Sequence, residues 1–211
     1  MGAPPARLVN FPFYIDLSTY KYADKTAVYE DRPLRFLSSG RLLNSVKGHD
    51  VAIRALALVA SQLDMPFEYY IAGTGPDKEH LMLLAKELKV LDRLKFLDWM
   101  EPGELLALYR EVDVLIHPSP VHDPFPNAIL EGMAAGLVVL GSDASGSAVD
   151  RIEHGLNGYI HRAGDVNALA KQVLFLLHNP RCIPTIGKHA RATAELWPVQ
   201  RAVDTVINMI S

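Results

Sequence analysis

Short apolar runs alternate along this chain with longer stretches in which apolar residues return every three or four positions. The runs fall at 34–39, 67–72, 94–97, 112–116 and 137–141, with a shorter one at 159–160. Their near-continuous hydrophobicity predicts strands buried on both faces, as in a parallel sheet. Between them the spacing predicts helices over about 49–63, 77–88, 101–111 and 127–135, and a short one over 149–153. Further helices are expected at 165–177, 181–196 and 199–210. In the first helix Val51, Ala52, Ala55, Leu56, Val59, Ala60 and Leu63 share one face; in the second, Leu81, Leu84, Ala85 and Leu88 do. Pro66, the Gly73-Thr-Gly75-Pro76 turn and the His154-to-Gly158 turn punctuate the pattern. Strands alternating with helices predict an α/β, Rossmann-like domain. Its parallel sheet should hold about six strands covered on both faces and end in a helical tail. Residues 34–196 form this domain and 197–211 a C-terminal helix. Residues 1–33 are rich in Pro and aromatics, including Phe11, Phe13, Tyr14, Tyr20, Tyr22 and Tyr29, and read as a lead-in arm. A short extended piece is expected near 27–29. The arm's aromatics are expected to pack against the domain, with sugar binding as the alternative.

Composition narrows the class. The 211 residues suit one large or two small domains, and 49% hydrophobic content supports a substantial core. A net charge of -3 provides no basic field for nucleic acid. The single cysteine, Cys182, cannot form an internal disulfide, which fits a reducing, cytoplasmic setting. No apolar run reaches about 18 residues, and the first residues lack the apolar core of a signal peptide.

The chemistry concentrates in the segment 118–136, which joins the fourth strand to a helix. In an open α/β sheet, ligands bind in the loops at the carboxyl ends of strands. Pro126 suits the first helical position, which leaves the N–H groups of Asn127 and Ala128 facing the loop, where an anion can dock. Arg41 and Lys47 place two positive charges after the first strand. The glycines Gly73 and Gly75 permit close backbone approach or simply a turn. The full Gly-x-Gly-x-x-Gly pattern fails because Lys78 takes the last place, which argues against a dinucleotide dehydrogenase. His117 and His122 flank the segment; with no second pair at metal spacing, they read as structural or solvated.

The segment Asp123-Pro-Phe-Pro-Asn-Ala-Ile-Leu-Glu131-Gly-Met-Ala resembles the signature of the retaining family-4 (group 1) glycosyltransferases of GT-B fold, Glu-Gly-Phe-Pro-Asn-Val-Leu-Leu-Glu-Ala-Met-Ala. The spacing and second acid are kept; the first acid is one methylene shorter. Gly40-Arg41, Lys47-Gly48, Ile71-Ala-Gly-Thr-Gly75, Val112-Asp-Val-Leu-Ile-His-Pro-Ser119 and Gly155-Leu-Asn-Gly158 follow the family's order. The resemblance implies the C-terminal, donor-binding half of such an enzyme, with a preceding acceptor-binding domain absent from this chain.

What the resemblance implies for residues is specific. Arg41 and Lys47, with Gly40 beside them, hold the diphosphate of a nucleotide-diphosphate sugar and stabilise the charge that grows as it leaves. Glu131 accepts hydrogen bonds from the ribose hydroxyls. Asp123 contacts the donor sugar, which with Arg41 and Lys47 makes it a catalytic candidate. Phe125, Asn127 and Ala128 of the motif, the glycines Gly73 and Gly75, and Gly146 in the 142–147 loop complete the expected donor site. Asp150 falls where the family often has Glu. No metal or other cofactor is expected, and any membrane contact would come through the missing domain. The sugar is transferred with retention of configuration, in the family by front-face attack assisted by the leaving phosphate. The alternative is a non-catalytic or split-enzyme module that binds the nucleotide sugar and docks on a separate acceptor-binding subunit. A phosphorylase is the rival enzyme, but no lysine has a recognisable setting for pyridoxal phosphate.

Overall fold

A computed structural model describes residues 14–22, 32–63 and 65–210 of the chain. Six parallel strands form one sheet: β1 (Leu34–Ser39), β2 (Phe67–Ala72), β3 (Leu94–Asp98), β4 (Val114–His117), β5 (Val138–Ser142) and β6 (Gly158–His161). Their spatial order is β3-β2-β1-β4-β5-β6. Nine helices accompany them among the described residues: α1 (Asn44–Lys47), α2 (His49–Gln62), α3 (Lys78–Glu87), α4 (Pro102–Glu111), α5 (Asn127–Ala134), α6 (Gly146–Arg151), α7 (Val166–His178), α8 (Ile183–Ala194) and α9 (Val199–Ile210).

Alternate residues of each strand feed two cores. Phe36, Tyr69, Ile71, Val114, Ile116, Val138 and Leu140 meet α2, α3 and α7 on one face. Leu37, Leu115 and Val139 meet α4, α5, α6 and α8 on the other. This is why the central strands read as unbroken apolar runs rather than alternating ones.

Several boundaries move for identifiable reasons. The expected strand 112–116 begins only at Val114, since the Val112 N–H still closes α4 on the Leu108 carbonyl; the next residue, Asp113, has a fully buried carboxylate. It accepts both terminal nitrogens of Arg32 at 2.7 Å and the N–H of Arg35 at 2.9 Å. The strand expected from 137 starts at Val138, since the Leu137 N–H closes the end of α5 on the Gly132 carbonyl. The helix expected at 149–153 forms earlier, at Gly146–Arg151, where Ser145 supplies the first acceptor for Ala148 and Val149. Helix α1 was not expected at all. Its Asn44 N–H is satisfied by the Asp77 carboxylate at 2.6 Å, from a loop 33 residues away.

The described part of the arm, 14–22, lies on the domain. Ile15 is buried and pairs with Pro198, Tyr14 rests on Trp197, and Tyr20 meets Tyr109 edge-on at 6.1 Å. Phe11, Phe13 and the extended piece expected at 27–29 lie outside the described residues. No helix among the described residues is long and apolar enough to cross a membrane.

Helix α8 approaches the turn after α5 so closely that a Cβ on Gly187 would lie 2.1 Å from the Gly136 carbonyl oxygen. Since the obstacle is backbone, Gly187→Ala should lower the unfolding free energy by about 1–3 kcal/mol. Urea denaturation would show this as an earlier midpoint at unchanged slope; an unchanged midpoint would mean that α8 shifts without cost.

Candidate functional site

A cleft of about 920 Å³ opens at the carboxyl ends of β1, β2, β3 and β4. The order of the sheet reverses between β1 and β4, so the chain leaves these neighbours in opposite directions and a crevice remains. Of the residues expected from sequence, Gly40, Arg41, Lys47, Gly73, Gly75, Asn127, Ala128 and Glu131 all line this cleft. Asp123, Phe125 and Gly146 do not.

The floor is made by loops in backbone contact. A Cβ on Gly73 would stand 2.0 Å from the Gly40 carbonyl oxygen, and φ there is +140°. Only glycine fits, and the two strand ends are joined by the Gly40 N–H to the Ala72 carbonyl and the Leu42 N–H to the Thr74 carbonyl, each 2.9 Å. The glycine pair therefore packs loop on loop while also lining the cleft.

Lys47 reaches the cleft from the last turn of α1, and exposed Arg41 stands just before it. Across the opening lies the N-terminus of α5. Helix α5 begins at Asn127, so Pro126 sits one place before the expected first position, and no side chain caps this end. The first N–H groups of a helix lack intrahelical acceptors and carry the positive end of its dipole.

Asp123 stands behind Lys47. Its Oδ2 accepts from Lys47 Nζ at 2.6 Å, His117 Nε2 at 3.0 Å and Ser119 Oγ at 3.1 Å. Burial opposes its charge, but the bonds from His117 and Lys47 prevail and hold the carboxyl well below the usual range. The loop acid thus also orients a lysine and a buried histidine. His117 is buried, and it also lines the cleft. Phe125 turns toward α6, with the Arg151 guanidinium 5.7 Å from its ring. Gly146 lets α6 close on the same loop: a Cβ there would meet the Pro124 carbonyl oxygen at 2.0 Å.

Glu131 has different partners. The Tyr109 hydroxyl donates to its Oε2 at 3.0 Å. Burial, and next the negative charge of Glu131, push the Tyr109 phenol well above its ordinary pKa, so it stays a donor. Residues not singled out from sequence help complete the cleft: Thr19 of the arm, Ser39, and an apolar shelf of Trp99, Met100, Leu105 and Leu106. The shelf follows the carboxyl end of β3, so the strand-end rule could have found it. Of the arm's aromatics, Tyr20 lines the cleft as well as packing on Tyr109.

Three buried histidines surround this region and its neighbouring strand. Burial lowers His49 and His161 to about 4 and also lowers His117. An unfolded histidine takes up its proton near pH ~6.5. Between about 6.5 and 4 the unfolded chain therefore binds more protons than the native one, and stability falls as pH drops. Urea midpoints measured from pH 7 to 4 should decline across that window, and His161→Leu should flatten the decline. A parent curve flat down to pH 4 would contradict the burial of these rings.

Residues 21–194 match the sequence profile of Glycosyl transferases group 1. The chain is 30% identical over 200 residues to the amylovoran biosynthesis glycosyltransferase AmsK of Erwinia amylovora, covering 92% of this chain and 48% of that protein. It is likewise 30% identical over 226 residues to the D-inositol 3-phosphate glycosyltransferase of Gordonia bronchialis, again spanning 48% of it. The chain thus spans about half the length of these relatives. Its fold superposes on Anabaena Alr3699/HepE, solved with UDP and glucose, with a TM-score of 0.80 at 22% identity over 93% of this chain and 55% of that one. It also matches the C-terminal domain of LpcC from Francisella tularensis, a group 1 family protein, at TM-score 0.74 and 18% identity, covering 86% of this chain and 97% of that domain. With its six-stranded Rossmann-like sheet forming one half of a GT-B fold, the chain belongs to the group 1 glycosyl transferases.

Proposed function

We propose that the cleft binds the nucleoside diphosphate of a nucleotide sugar and that the intact enzyme transfers this sugar to an acceptor with retention of configuration. The observation that carries the reading is the convergence of Arg41, Lys47, the N-terminus of α5 and Glu131 on one cleft at the carboxyl ends of the strands. A diphosphate leaving group gathers negative charge in the transition state. Fixed cations and oriented N–H groups stabilise that charge without reorganising at the moment of reaction. Arg41 can grip two oxygens at once, and Lys47 acts as a point charge. Asp123 keeps Lys47 in place through Oδ2, which also accepts from His117 and Ser119, and Oδ1 remains for a sugar hydroxyl. Glu131 accepts from the ribose diol, and the apolar shelf around Trp99 and Met100 covers the base.

The curated relatives are about twice this length, and the acceptor is assigned to the half that this chain does not span. The isolated chain should accordingly bind nucleotide and transfer little sugar. The Anabaena neighbour was solved with UDP, which makes a uridine nucleotide the first ligand to try. Acceptor-dependent turnover by the isolated chain would overturn the division of labour.

Thermal melting with UDP, GDP, ADP and CDP tests the site itself. A nucleotide at about a hundred times its dissociation constant should stabilise the fold by about 2.7 kcal/mol, or roughly 5–10 °C. Glu131→Ala should abolish the shift. Arg41→Ala should weaken the diphosphate by about 10- to 100-fold, as expected for losing one charge-assisted contact, and weaken the uncharged nucleoside hardly at all. Equal losses for both ligands would remove Arg41 from the diphosphate.

A further inference from the structure

The cleft contains two phenols that the proposed donor contacts do not use, and both surround Glu131. We propose that Tyr109 and Tyr20 are positioning residues for Glu131, so that the segment preceding the Rossmann-like domain forms part of the subsite that selects a ribose over a deoxyribose. The inference rests on the reading of Glu131 as the acceptor for the ribose hydroxyls.

A carboxylate only accepts hydrogen bonds, which fixes the direction of the whole chain of contacts. The single O–H of Tyr109 points to Glu131 Oε2 at 3.0 Å. The Ser39 hydroxyl, 3.0 Å from the same phenol oxygen, must therefore donate to it. Ser39 ends β1, Tyr109 lies on α4 and Glu131 on α5, so two other elements hold one carboxylate oxygen of α5. A glutamate side chain on a helix loses considerable rotamer freedom when ordered. With Oε2 already held, much of that ordering is complete before ligand arrives, and Oε1 is left for an incoming hydroxyl.

Tyr20 extends the arrangement to the arm. Its ring stands edge-on to Tyr109, with centroids 6.1 Å apart and planes at 72°. Tyr20 and Glu131 line the same cleft, and the Tyr20 phenol is raised by burial and then by the charge of Glu131. The backbone is tied down as well. Arg191 Nη1 donates to the Tyr20 carbonyl at 2.7 Å and to the Ala134 carbonyl, at the end of α5, at 2.6 Å. One guanidinium thus joins the arm to the helix that carries Glu131. A displacement of the arm would remove Tyr20 from the carboxylate, so arm docking and ribose binding are coupled.

The test compares binding of the preferred nucleoside diphosphate with its 2′-deoxy counterpart by calorimetry, in the parent chain and in Tyr20→Phe, Tyr109→Phe and Arg191→Gln. Glu131→Gln serves as the control. The parent should prefer the ribonucleotide by about tenfold, the worth of one hydroxyl-to-carboxylate bond. Tyr20→Phe and Tyr109→Phe should each reduce the preference to about threefold or less while leaving deoxynucleotide affinity close to the parent's. Arg191→Gln should do the same by loosening the arm. Tyr20→Phe retains the ring on Tyr109, so its melting temperature without ligand should stay near the parent's even if Tyr109→Phe unfolds early. A preference that survives Tyr20→Phe at parental strength would overturn the role of the arm and leave the nucleotide reading intact. A parent chain that binds both ligands equally would remove Glu131 from the ribose, and this inference with it.

Discussion

Parallel strands direct all their carboxyl ends to one edge of the sheet, and the order of this sheet reverses between β1 and β4. That reversal is the constraint on which the site depends. The connections leaving β1 and β4 depart to opposite faces, and the space between them cannot be filled by either. Gly40, Arg41, Gly73, Gly75, Asn127 and Ala128 reach the space from a strand-end loop or the first turn of the following helix, while Lys47, Tyr109 and Glu131 reach it from further along a helix. The close approach of Gly73 to the Gly40 carbonyl brings the β1 and β2 loops together beneath it.

Two carboxylates in this setting take different work from their surroundings. Asp123 is buried among Lys47, His117 and Ser119, which hold it charged and turn it into a support for the lysine. Glu131 is half-buried and accepts from a phenol that cannot give up its proton under ordinary conditions. The first environment orients a cation at the cleft; the second leaves a carboxylate there with spare acceptor sites. Burial opposes charge at Asp123, and it is the number of donors that reverses the balance.

The arm and the C-terminal tail meet beside these groups. Ile15 pairs with Pro198, the Val199 N–H bonds the Ile15 carbonyl at 3.1 Å, and Arg191 joins Tyr20 to the end of α5. Segments from the two ends of the described chain therefore brace the same helix. Any movement of the arm would reach the cleft through Arg191, which bonds the end of α5, and through Tyr20, whose ring meets Tyr109.

The repeating apolar runs determined the six strands, their burial on both faces and the alternation with helices, since those depend on periods of two and 3.6 residues within one segment. The motif residues Arg41, Lys47, Asn127, Ala128 and Glu131 were likewise legible, because strand-end loops in such a sheet share one edge. Tertiary structure alone decided the rest. Asp77 satisfies the Asn44 N–H that opens α1, and the Arg32 side chain and the Arg35 N–H reach the buried Asp113 carboxylate. Asp123 pairs with Lys47 from 76 positions away, and Tyr20 meets Tyr109 at the edge of the cleft. Each of these rests on a contact between residues far apart in the chain, and local periodicity carries no record of which distant side chain will arrive.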